Sequence, residues 1–199
     1  MPEHSLITDP NIHEPKGAST ASEGMVYVAN GSGSGTWRSW PYGKAVYQHL
    51  LTTAQVVTTT PTKLQINGEG PLTQTGRLPR DHAGGSLWHV TDFKITPIRT
   101  NDTYLIRLDM PVTSETSSPT EMLVQFDIGG GATPTNIITS HYLKAGRAGA
   151  YTQGFSTVID VASTAVVNNG IQIFVRTDVG SITLANPTIT IVKVIDGVL

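Results

Sequence analysis

The chain reads as all-β: an antiparallel β-sandwich, most simply a jelly roll, preceded by an extended N-terminal arm. Three observations lead there. Apolar residues alternate with polar ones in run after run from Ser86 onward, Gly- and Asn-rich turn signals separate the runs, and no amphipathic helix of ordinary length competes. Strict alternation is what a sheet with one buried face demands, because successive side chains on a strand point to opposite sides.

Taken in order, residues 86–96 form a strand candidate around Leu87, Val90, Phe93 and Ile95. Over 102–112, Tyr104, Ile106, Leu108 and Met110 alternate with Arg107 and Asp109; over 121–128, Met122, Val124, Phe126 and Ile128 alternate with Glu121, Gln125 and Asp127. Further strands are expected at 135–143, 153–162, 170–177 and 181–194, with Gly129-Gly130-Gly131 and Asn168-Asn169-Gly170 as turns. In the last run Ile189 and Ile191 share one face while Val192 and Val194 share the other. A strand apolar on both faces is either central in the sandwich or covered by another subunit.

Upstream the pattern changes. Residues 1–42 are interrupted by Pro2, Pro10, Pro15 and Pro41 and contain the flexible tract Gly31-Ser32-Gly33-Ser34-Gly35. Only Met25 to Ala29 reads as a strand, with Asn30-Gly31 as a turn behind it. So polar a segment buries too little surface to fold alone, which suggests an attachment arm ordered against a partner. The sandwich is assigned residues 43–199: a weak helical or turn-like stretch from Gly43 to Leu51, β-branched runs at 55–60 and 62–67 split by Pro61, and a long loop from Gly68 to Gly85.

Composition narrows the function. Charged residues are only 14% of the chain and the formal net charge is -2, with no run of Lys or Arg, so a nucleic-acid partner is not expected. There are 0 cysteines, which removes disulfides, thiolate metal sites and a cysteine nucleophile together. The polar first residues are not a signal peptide, and no long apolar run suits a membrane helix, so the expectation is a chain made in the cytosol.

The search for chemistry is equally sparse. His4, His13, His49, His82 and His89 show neither His-x-His nor His-Glu-x-x-His spacing, so no metal or other cofactor is expected. Asp102, Asp109, Glu121 and Asp127 face outward by parity, as solvating and edge-protecting charges do, and no Gly-x-Ser-x-Gly elbow occurs. The Gly-Ser tract lacks the Lys-Ser/Thr of a phosphate loop. No catalytic residue is expected and the chain is read as a non-enzyme. Trp37, Trp40 and Tyr42 cluster just after the tract, either as anchors on a partner or folded back to seal the sandwich.

The stretch Ile12-His13-Glu14-Pro15-Lys16-Gly17-Ala18, followed by Val26 to Gly31 and Gly33-Ser34-Gly35-Thr36-Trp37, resembles an N-terminal motif of tailed-bacteriophage virion structural proteins, of the head decoration, cement or fibre kind. The run of strands behind it resembles the trimeric tumour-necrosis-factor-like or jelly-roll domains of phage surfaces. The resemblance implies a virion protein made in the host cytoplasm, most simply a capsid decoration or cement protein. Its partners would be the major capsid protein or other virion proteins, and it would form a homotrimer. His13, Glu14, Pro15, Lys16, Trp37, Trp40 and Tyr42 would then bind the partner, and Val192 and Val194 would lie at the trimer interface. The alternatives are a tail or fibre adaptor, and a carbohydrate-binding module with Trp37, Trp40, Tyr42 and Trp88 as its platform. A polysaccharide-degrading enzyme is disfavoured by the lack of a matched acidic pair.

Overall fold

The computed structural model describes residues 25–29, 35–39, 43–48, 54–69, 86–115, 119, 121–195 and 197. Two antiparallel sheets pack face to face. The first is built on β9 (Thr103–Ser114) as its axis. On one side β9 pairs along its whole length with β12 (Gly149–Asp160). On the other it pairs with β14 (Ile182–Leu184) and then β15 (Thr188–Ile195), which run end to end. Beyond these lie β4 (Gln55–Val57) on β14 and β3 (Gly43–Gln48) on β15, with β6 (Gly68–Glu69) outermost.

The second sheet has the order β11 (Ile137–Lys144), β10 (Glu121–Asp127), β13 (Ile171–Thr177), β8 (Lys94–Ile95) and β7 (Trp88–His89), and β5 (Thr62–Lys63) also pairs with β13. The chain crosses repeatedly between the sheets, among other places at β8–β9, β9–β10, β11–β12, β12–β13 and β13–β14, as a jelly roll does. A further hairpin, β1 (Met25–Ala29) with β2 (Gly35–Ser39), pairs with neither sheet among the described residues.

The alternation read from sequence is the core. Tyr104, Ile106, Leu108, Met110 and Val112 of β9 face Met122, Val124 and Phe126 of β10, and all are buried with Ile173 and Val175 of β13 and Ile189 and Ile191 of β15. Each large side chain removed from water contributes roughly 1.5–3 kcal/mol, and these rows hold the two sheets together. Pro111 sits inside β9 without breaking it. Its carbonyl accepts from Ala185 N, so the face lacking an N–H points at the break between β14 and β15.

Several expectations are corrected. Gly43–Gln48 is a strand of the first sheet, not a helical or turn-like stretch. Residues 86–96 are not one strand but the hairpin β7–β8, closed by a bond from Phe93 N to His89 O. The 181–194 run is two strands, parted at Asn186 (φ 51°) and Pro187. Asn168-Asn169-Gly170 ends a short helix, α1 (Thr164–Asn169), rather than forming a simple turn.

Asp102 and Asp127 do not face solvent; both are completely buried. Asp127 ends β10, where the 128–136 turn folds over it. Its carboxylate accepts from the backbone N–H groups of Gly129 (2.8 Å), Thr135 (2.9 Å) and Asn136. Asp102 precedes β9 and takes Lys193 as its partner. Strand parity assigns outward positions only while the neighbouring chain stays clear of the outer face, and at these two strand ends it does not. Asp109 and Glu121 keep their exposed or half-exposed positions.

Candidate interaction surfaces

The outer face of the first sheet carries an apolar row. Val192 of β15 is directly opposite Leu105 of β9, and Leu105 is directly opposite Val158 of β12. Opposed residues stand about 4.5–5.5 Å apart at Cβ, so the three side chains adjoin on one side of the sheet. Val158 is 58% exposed and Leu105 37%, while Val192 is half-buried. A register shift between Lys193 and Ile195 marks a bulge at Val194, and Ile195 beyond it is exposed. The sequence already set Val192 and Val194 on the face opposite Ile189 and Ile191. It missed Leu105 and Val158, whose signal is an apolar residue out of phase with its own alternating run.

The row beside it is charged. Arg107 Nε and a terminal guanidinium nitrogen donate to the two oxygens of Asp109 at 2.8 and 3.0 Å. That hydrogen bond and the neighbouring negative charge raise the Arg107 pKa. Gly154, opposite Asp109, leaves the carboxylate its space: a Cβ there would come within 2.6 Å of Asp109 Oδ1. The face is thus an apolar stripe bordered by a fixed ion pair, which is the layout of a contact patch with a polar rim.

A second apolar margin lies where the two edge strands β11 and β12 meet. His141 stacks on Phe155 with ring centroids 4.7 Å apart, and Phe126 meets both rings edge-on. His141 Nε2 is buried and finds no hydrogen-bond partner among the described residues. Ile138 and Tyr142 point to the opposite, solvent side of β11, and Tyr142 is 70% exposed. Nothing in the sequence reading singled out His141, because an isolated His on an alternating strand carries no motif.

Of the expected partner-binding residues, His13, Glu14, Pro15, Lys16, Trp40 and Tyr42 lie outside the described residues. Trp37 lies on β2, half-buried, opposite Tyr27 of β1 with ring centroids 5.3 Å apart in an edge-on contact. Trp88 cannot be part of a sugar platform. It is fully buried, and its Nε1 donates to Ile66 O at 2.7 Å. Among the described residues no three His, Asp or Glu side chains gather in a metal-binding group.

No family model matches the chain, and no curated protein matches it by sequence. Solved structures do match in shape. The chain is similar to Eiger TNF from S. frugiperda, with a TM-score of 0.53 at 11% identity, covering 79% of this chain and 95% of that one. It also overlaps PRD1 vertex protein P5, with a TM-score of 0.48 at 12% identity over 88% of this chain and 84% of that one. The first likeness carries the fold: an antiparallel β-sandwich of the tumour-necrosis-factor-like jelly-roll type.

Proposed function

We propose that the chain is a virion structural protein of a tailed bacteriophage, first a capsid decoration or cement protein and second a tail or fibre adaptor. It works by burying surface, without catalysis, and assembles as a homotrimer through the outer face of the first sheet. The apolar row Val158–Leu105–Val192 carries this reading: three adjoining apolar side chains on a solvent face mark a surface meant to be covered. Closed three-fold symmetry covers such a row in every copy without leaving a growing filament. The motif His13-Glu14-Pro15-Lys16 and its Gly-Ser tract support a particle partner for the arm. Among the described residues the β1–β2 hairpin forms its own two-stranded sheet, which suits an attachment element.

Gold-labelled antibody on purified particles tests the proposal. Regular label on intact particles is the expected result. Protein found only in the unassembled fraction overturns it.

A further inference from the structure

A cleft of about 500 Å³ opens at the edge of the second sheet, among the β7–β8 turn, β5, the 128–136 turn and the end of α1. Its most unusual member is Phe93. The four-residue turn Val90-Thr91-Asp92-Phe93 needs a left-handed residue in its last place, where Gly or Asn is the ordinary occupant, yet Phe93 sits there at φ 53°. A bulky side chain held in that region marks strain kept for a reason. Part of the compensation is packing, because the Phe93 ring rests against the buried core. The same ring lines the cleft.

Around the ring the cleft is polar, and among the described residues its lining carries a cationic excess. Lys63 and Lys94 both line it, against Asp92, whose Oδ2 is 3.5 Å from Lys94 Nζ. Each lysine is held by a partner. Gln172, almost wholly buried, places its amide oxygen 2.6 Å from Lys63 Nζ and its nitrogen 3.0 Å from Gly131 O. Lys94 lies along Gly170, where a Cβ would come within 2.9 Å of its Cδ. Asn169 uses its amide nitrogen on Ile128 O at 2.9 Å, leaving its amide oxygen as an acceptor on the cleft wall.

We propose that this cleft binds one carboxylated pyranose, the uronic-acid type of unit found in acidic polysaccharides. The C–H face of the sugar stacks on Phe93, its carboxylate meets the two ammonium groups, and its hydroxyls reach Asp92 and Asn169. The volume falls within the usual range for small-ligand sites, roughly 300–1,000 Å³. This site is distinct from the tryptophan platform the sequence suggested and does not depend on a role in a particle.

The test is an amide NMR titration of the isolated full chain with D-glucuronate, and with D-glucose and inorganic phosphate as comparisons. Saturable shifts at Lys63, Phe93, Lys94 and Asn169 with glucuronate, much weaker with glucose, are expected. Phe93→Gly removes the ring while relieving the backbone, so it should stay folded and lose the glucuronate response. Lys94→Gln should abolish the preference for glucuronate over glucose. The proposal is overturned if glucuronate gives no saturable shift, if phosphate alone reproduces the shifts, or if folded Phe93→Gly responds like the unmodified chain.

Discussion

Lys193 Nζ lies 3.1 Å from Asp102 Oδ1, and both side chains are completely buried. The pair ties the end of β15 to the start of β9. Asp102 also accepts from Tyr104 Oη at 3.0 Å, Arg99 N at 3.2 Å and Gly197 N at 2.9 Å, so the carboxylate is surrounded by donors. Lys193→Met leaves that anion without its cation and should cost about 3–5 kcal/mol, whereas Lys193→Met combined with Asp102→Asn should recover part of the loss. Urea unfolding of the two variants decides it. With Asp102→Asn measured alone as well, losses that simply add in the double variant would show that the pair is not coupled.

Asp127 accepts three backbone N–H groups and so organises the turn between β10 and β11. Asp127→Ala strands those donors and should destabilise the fold by about 2 kcal/mol, with amide exchange rising first at Gly129 and Asn136. Unchanged exchange there would remove the turn from its control.

Gly170 has φ 74° and ψ -178°, and a Cβ at this position would come within 2.7 Å of Ile95 O. Gly170→Ala should therefore lose about 1–3 kcal/mol, read as a lower urea midpoint with an unchanged slope. An unaltered midpoint would mean that α1 can move away from β8 freely.

The buried Trp88 should emit at short wavelength, and Trp88→Phe should lose about 1 kcal/mol with its bond to Ile66 O. Circular dichroism should be β-dominated and melting unaffected by a chelator. A chelator-induced fall in Tm would place a metal in the fold.

How much of this was legible depends on what each residue answers to. In β9 one face must be dry, so the period of two in Tyr104–Met110 was readable directly; in β10 the same period in Met122–Phe126 marks the core face, although Leu123 and Gln125 on the other face are buried too. The β7–β8 turn was invisible because Phe93 stands where Gly or Asn would have announced it. Strand β3 was missed because Gly43 to Gln48 shows no alternation, its place being set by pairing with β15. Helix α1 has only 6 residues, too few for a helical period to show. The burial of Lys193 opposite Asp102 joins residues far apart in sequence, and neither position alone carries a sign of the other.

The central claim is assembly through the outer face of the first sheet, and native mass spectrometry of the full chain with Val192→Asp beside it tests that most directly. Placing a carboxylate in the row with Leu105 and Val158, directly opposite Lys44 on β3, puts a charge into a contact that should be dry, at a cost of roughly 3 kcal/mol or more to assembly. The account predicts a trimer for the unmodified chain and a folded monomer, with unchanged circular dichroism, for the variant. A stable monomer for the unmodified chain, or a trimer that survives Val192→Asp intact, would contradict it.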